Sequence, residues 1–154
     1  MNRAHTKRWL EVRPMIGRLA DNQKDCLNTS GKSSIMAPIE RIGPSTLSPT
    51  RSRSIVHNGI VTTVSTAATK VPSLYNQAQD ALAGVDRQLR EAGTDKSRIL
   101  MVMIYITDIT KKPEFNRAWD EWVDRANLPL RACVGAPLEN EDLVELIVTA
   151  AKDV

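Results

Sequence analysis

Between Ile39 and Ala150 the apolar positions of the chain switch between a period near two and a period near four. Ile39–Ile42 reads as a short strand, and Pro44–Thr50, with prolines at 44 and 49, as a loop. Ser54–His57 and Ile60–Ser65 flank Asn58-Gly59. That pair is a strong hairpin signal, because both turn residues must accept positive φ. Pro72-Ser73 opens a helix on which Leu74, Ala78, Ala81, Val85, Leu89 and Ala92 form one apolar face, and Gly93 follows as a C-terminal cap.

Ile99–Thr107 is rich in Ile, Val and Met with little polar alternation, which predicts an interior strand covered on both faces. Pro113 belongs in the first turn of a second helix, with Phe115, Ala118, Trp119, Trp122 and Val123 as its stripe. After a turn at Asn127–Pro129, Arg131–Ala136 and Leu143–Ala150 read as the last two strands, joined by the acidic turn Glu139–Asp142. The order β-β-β-α-β-α-β-β predicts an α+β domain, a mixed sheet with both helices packed on one face.

Residues 1–37 differ from this pattern and read as a basic, flexible extension preceding a domain at 38–154. Val12, Met15, Ile16 and Leu19 have helical spacing, and Asn28–Ser34 has linker composition. Met36-Ala37 reads as the natural start, which makes residues 1–35 an upstream extension. The other reading is a targeting peptide, but such peptides are poor in acids, and Glu11, Asp21 and Asp25 weigh against it.

Charge sharpens the division. The net charge of +3 and pI near 9 point toward nucleic acid at first sight. Residues 1–35, however, hold seven Lys/Arg against three acids, and the remainder fourteen against fifteen. The domain is therefore nearly neutral, and no phosphate-binding surface is expected of it. Two cysteines form no disulfide framework, and with only His5 and His57 beside them no zinc site is expected. A reducing cytosol is the expected compartment, and no apolar run is long enough to span a bilayer.

Gly-rich phosphate loops, nucleophile elbows and metal-ligand spacings are absent. What stands out is Arg131, on a predicted interior strand between Leu130 and Ala132-Cys133-Val134. Buried arginines need partners, and a planar guanidinium offers a carboxylate two parallel hydrogen bonds. The partner is either an internal acid, such as Glu145 on the following strand, or the carboxylate of a ligand. Glu145 itself interrupts an apolar strand, as a solvent-face residue or as a group for proton transfer and water placement. Cys133, two residues after Arg131, shares its strand face, with the role of a small buried hydrophobe as the plainer alternative. Asn116 interrupts the second helix, where a solvated position is the plainer reading.

The segments Phe115–Val123 (FNRAWDEWV), Pro129–Val134 (PLRACV) and Val144-Glu145 together resemble the C-terminal signature of the Rid (YjgF-like) family of reactive-intermediate deaminases. The AWD-x-WV helix is most similar to the YoaB-like subgroup, and the likeness covers roughly residues 39–151. It implies a chorismate-mutase-like fold, assembled as a homotrimer with ligand clefts between subunits. It implies hydrolysis of enamines and 2-imino acids such as 2-iminopropanoate to 2-oxo acids and ammonia, with no metal or cofactor. Carried over residue by residue, Arg131 grips the substrate carboxylate, Glu145 positions or activates water, and Cys133 and Asn116 line the cleft. Two places depart from the deaminase pattern: Arg51 stands where a tyrosine is common, and Val64-Ser65 where Ser-Gly is common. A non-catalytic trimer that binds 2-oxo acids is the alternative, and a nucleic-acid role finds no basic-plus-aromatic surface to rest on.

Deletion of residues 1–35 is expected to leave the thermal midpoint almost unchanged. A large fall would mean that the segment packs on the domain.

Overall fold

The computed structural model describes residues 37–45 and 48–153. The expected extension, Ala37 apart, lies outside the described residues. Six strands form one sheet: β1 (Glu40–Ser45), β2 (Ser48–His57), β3 (Ile60–Thr66), β4 (Ile99–Ile106), β5 (Leu130–Gly135) and β6 (Val144–Ala151). Their spatial order is β1-β2-β3-β6-β4-β5. Every neighbouring pair is antiparallel except β4 and β5, which run parallel. Helices α1 (Leu74–Glu91) and α2 (Lys112–Trp122) complete the mixed α+β fold.

The β2–β3 hairpin turns at Asn58-Gly59 with φ of 48° and 73°, the left-handed pair that the dipeptide predicts. The expected loop at Pro44–Thr50 is a correction, since strand structure runs through Ser45 and resumes at Ser48. Pro44 is tolerated because β1 is an edge strand, where a missing N–H costs no ladder bond, and the register shifts beside it.

Ser73 caps α1, accepting a hydrogen bond from the Asn76 N–H. The helix buries Leu74, Ala78, Ala81, Leu82, Val85 and Leu89 against the sheet. Opposite them, Val61, Val102, Ile104, Ile106, Val144, Leu146 and Val148 are buried as well. Each fully buried Leu, Ile or Val contributes roughly 1.5–3 kcal/mol, so this layer dominates the stability of the domain. Gly93 follows α1 with φ of 79°, one residue past the cap at Ala92.

Only one face of the sheet is covered in the protomer. The burial of β6 alternates without a break, Val144, Leu146, Val148 and Ala150 inward and Glu145, Ile147 and Thr149 outward. The expectation that β4 is covered on both faces is therefore corrected. It lies between β6 and β5, but Met101, Met103 and Tyr105 are half-exposed on its second face. With them, Ile55, Ile60, Val64, Leu130 and Val134 leave a largely apolar open surface.

A buried glutamine locks α1 to the start of β6. The Gln77 amide donates to the carbonyls of Val71 and Glu141, both at 2.9 Å, and its oxygen accepts from the Leu143 N–H at 2.9 Å. Its side chain is fully buried. Beside this joint, Lys70 pairs with Asp142 and reaches the Ala67 carbonyl. Gln77→Leu would leave the Glu141 carbonyl and the Leu143 N–H without their side-chain partner, while the Val71 carbonyl keeps the Ser73 N–H, so it is expected to destabilise the fold by about 2 kcal/mol. Urea unfolding should show a lower midpoint at unchanged slope, and an unchanged midpoint would contradict the role given to Gln77.

Candidate active site at the edge strand

β5 is the parallel edge strand, and α2 lies along its helix-side face. In the β4–β5 ladder Val102 pairs with Arg131 and Ile104 with Cys133, so both β5 side chains project to the face that carries the buried core. The chain reaches α2 through a 3₁₀ turn at Ile109–Lys111, capped by Asp108, whose carboxylate accepts from the Thr110 N–H and hydroxyl. These bonds hold Asp108 below the usual carboxylate range. The other end of α2 is pinned by the Trp122 indole, which donates to Asp86 at 2.9 Å, and by Lys96, which donates to the Trp122 carbonyl at 2.8 Å.

Arg131 is half-buried. Its guanidinium donates to the Asn116 side-chain oxygen at 3.0 Å and lies 5.1 Å from the centre of the Trp119 ring. Trp119 is itself buried and stacks on Phe115, with ring centres 6.3 Å apart. The arginine thus rests on an aromatic platform and is steered by a neutral amide. Among the described residues no carboxylate pairs with it. A guanidinium has five N–H donors, so the bond to Asn116 leaves others to receive a planar anion. The reading of Asn116 as a solvated helix position is corrected, because it is half-buried and orients Arg131.

Glu145 is not the internal partner of Arg131. β4 separates β5 from β6, and Glu145 pairs with Tyr105 and Thr66 on the open face of the sheet. Arg131 is two strands away, about 10 Å in the sheet plane, and points to the opposite face. No hydrogen bond or ion pair holds Glu145 among the described residues.

The other expected residues divide between the faces. Cys133 lies beside Arg131 and is half-buried. Val64 is 39% exposed on the open face. Ser65 is buried beneath α1, its hydroxyl donating to the Ala81 carbonyl at 2.8 Å, so its side chain is closed to any ligand and that expectation is corrected. Gly84 explains the fit, since a Cβ there would strike the Ser65 hydroxyl. Arg51 is exposed on β2 and lines a shallow groove of ≈ 410 Å³ with Arg41, Pro44 and Ser52. β2 lies four strands from β5, about 19 Å, so Arg51 does not reach Arg131 within a protomer. A second groove of ≈ 240 Å³ between the helices is lined by Asp86, Lys96 and Trp122 and also lies apart from Arg131.

One participant escaped the sequence reading. Trp119 is more than core, since its ring supports the guanidinium. The spacing of Asn116 and Trp119, at i and i+3, was the available signal, because it places both on one stripe of a helix. Among the described residues no group of His, Cys, Asp and Glu is placed to hold a metal ion, and no helix is long and apolar enough to cross a membrane.

The domain is a one-sided α+β layer with an arginine held at its edge strand. Residues 50–152 match the family described as Endoribonuclease L-PSP, and the chain belongs to that family. It is 46% identical over 78 residues to a RutC family protein of Haemophilus ducreyi, across 50% of this chain and 67% of that protein. It is 31% identical over 98 residues to the RutC family protein YoaB of Escherichia coli, across 63% of this chain and 86% of that protein. A solved structure of a YjgF-family protein from Neisseria meningitidis superposes with a TM-score of 0.71 at 34% identity, covering 76% of this chain and 97% of that one. The resemblance to the Rid (YjgF-like) family is thereby borne out.

Burial pushes the Cys133 thiol above its ordinary range, and the charges of Lys112 and Arg131 oppose this without cancelling it. Because the thiolate is the reactive form, alkylation of Cys133 by iodoacetamide in a Cys26→Ser background should be slow at neutral pH and still accelerate above pH 9. A rate that levels off below pH 8 would mean that the two cations outweigh burial.

Proposed function

We propose that the chain is an enamine/imine deaminase that hydrolyses 2-imino acids of the 2-iminopropanoate type to 2-oxo acids and ammonia. The observation that carries this reading is Arg131, half-buried, oriented by Asn116 on the Trp119 ring, and without an acidic partner among the described residues. Such a group is prepared for a ligand carboxylate. The imine carbon next to that carboxylate is electrophilic once its nitrogen is protonated. Water adds to it, a proton moves to nitrogen, and the C–N bond breaks as ammonia leaves and the carbonyl forms. Orientation of the substrate and general acid–base assistance by Glu145 serve this sequence without redox chemistry.

Arg131 and Glu145 face opposite sides of one sheet, so a single protomer does not bring both to one ligand. A homotrimer resolves this. The open apolar face of one subunit, with Glu145 and Val64, packs toward the edge strand of the next, and the imino or oxo acid sits in the cleft between them. Self-association also removes the exposed surface of Ile55, Ile60, Leu130 and Val134 from water. Arg51 in this arrangement belongs to the neighbour's side of a cleft. Nucleic acid has no part in it, and the cytosol, where such imines are released, is the matching compartment.

The separation of Arg131 from Glu145 also favours a second reading, a trimer that binds 2-oxo acids without turnover. Tight binding of a 2-oxo acid with no acceleration of imine hydrolysis would select it.

Sedimentation of the full chain should return three times the monomer mass, and a clean monomer at micromolar concentration would remove the shared cleft. In an assay that generates 2-iminopropanoate in situ, Arg131→Ala should lower the rate of 2-oxo acid release by about a hundredfold or more. Arg131→Lys should fail similarly, because a point charge does not reproduce two parallel bonds. Glu145→Gln should bind ligand but turn over slowly. Refolding Arg131→Ala together with Glu145→Gln in equal amounts should restore about a quarter of wild-type activity, since random mixing places one intact residue of each kind at that share of the clefts. Wild-type speed from Arg131→Ala would overturn the mechanism, and no recovery on mixing would overturn the shared cleft.

A further inference from the structure

The ribbon of β1 and β2 carries positive charge that nothing within the chain answers. Glu40 is the only acid of the two strands, and its carboxylate lies 3.9 Å from the Lys152 ammonium. Arg53 is paired as well, with Glu91 of α1 at 3.0 Å. Arg41 and Arg51 are not. Both are exposed, and among the described residues neither pairs with a carboxylate. The one bond of the Arg41 side chain is a 3.5 Å contact with the Ile39 carbonyl. In the ladder Arg41 pairs with Ile55, and Arg51 stands four residues before Ile55, so the period of two sends both to one face. They line one groove of ≈ 410 Å³ with Gly43, Pro44, Pro49 and Ser52. Between their levels Arg53 lies over Gly43, where a Cβ would come within 2.7 Å of its guanidinium. Glu145 is two strands from β2, about 10 Å in the sheet plane. The near-neutral total of the domain thus conceals a local excess of two positive charges.

We propose that this groove is an anion-binding site and that it takes a small ligand with two linked phosphoryl groups, of the diphosphate kind, one group on each guanidinium. A guanidinium fork meets two oxygens of a phosphoryl group at once. Four strand residues span about 13 Å, so the two arginines are rooted far enough apart to bracket an elongated anion rather than close on a single ion. The Ser52 hydroxyl on the groove wall is a further donor. No aromatic ring lines the groove, so it reads charge and oxygen atoms and offers nothing for a base to stack on. Carboxylates carry one charge each, and a phosphoryl group carries up to two near neutral pH, which favours the phosphoryl ligand between two cations. The site is independent of the Arg131 clamp, which lies four strands away in the protomer.

The test is calorimetric titration of the full chain at low salt, where exposed charges are least screened, with pyrophosphate, inorganic phosphate and succinate as probes. Wild type should bind one pyrophosphate per chain, about tenfold more tightly than inorganic phosphate or succinate, as expected of one added charge-assisted contact. Arg41→Gln and Arg51→Gln should each weaken pyrophosphate about tenfold with unchanged thermal midpoints, because both side chains are exposed. Arg90→Gln, an exposed arginine of α1 outside the groove, should leave the affinity as it is, and so should Arg131→Ala. No saturable binding by wild type at millimolar pyrophosphate would overturn the site. An equal loss from Arg90→Gln would reduce it to general surface charge, and an equal loss from Arg131→Ala would move the anion to the clamp; either overturns the groove. Succinate bound as tightly as pyrophosphate, or phosphate bound as tightly, would overturn the assignment to two phosphoryl groups.

Discussion

The period-two alternation of a sheet covered on one face governs most of what this domain does. Two helices lie on one side, and every second residue of β3, β4 and β6 is consigned to the core beneath them. The remaining residues face outward as a broad apolar surface that a protomer alone leaves in water. A slip of one residue in any of these ladders would exchange the two sets. The burial of Val144, Leu146 and Val148 is therefore what holds Glu145 on the open face, and the burial of Val102 and Ile104 beside β5 is what turns Arg131 toward α2.

The chemistry collects where this layering ends. An edge strand has a neighbour on one side only, and a side chain on its helix-facing surface lies under the rim of the helix layer. There Arg131 is half-buried, sheltered on one side by α2 and open on the other. Its support comes from the core itself, through Phe115 to Trp119 to the guanidinium. The α2 stripe thus has two jobs: Phe115 and Trp119 anchor the helix, while Asn116 presents a polar group beside them. Anchoring from Asp108 at one end and Trp122 with Asp86 at the other fixes the helix along the strand.

Position in the sheet also decides what Ser65, Val64 and Arg51 can reach. Ser65 is drawn into the helix interface, where the missing Cβ of Gly84 leaves room for its hydroxyl to bond Ala81. Val64, one residue earlier, necessarily faces out. Arg51 adds a positive charge on β2, next to the far edge strand, and does not reach Arg131 within the chain.

The sequence alone determined the elements and their order, because these are written in local signals. They are the Asn58-Gly59 turn, the Ser73 cap, the three-to-four spacing on α1 and the aromatic stripe of α2. It also singled out Arg131, since an arginine in an apolar strand needs an explanation. Pro44 misled it, because a proline breaks a strand only where the ladder needs its N–H, and edge position is not a local property. Glu145 was misplaced for a related reason: strands consecutive in the chain were read as neighbours in space, whereas β4 is inserted between them. Which face a residue takes, which strand lies beside which, and that Arg131 meets Asn116 and Trp119 across an interface are long-range matters. They depend on pairing between segments tens of residues apart, and only the packing of the whole sheet against its helices decides them.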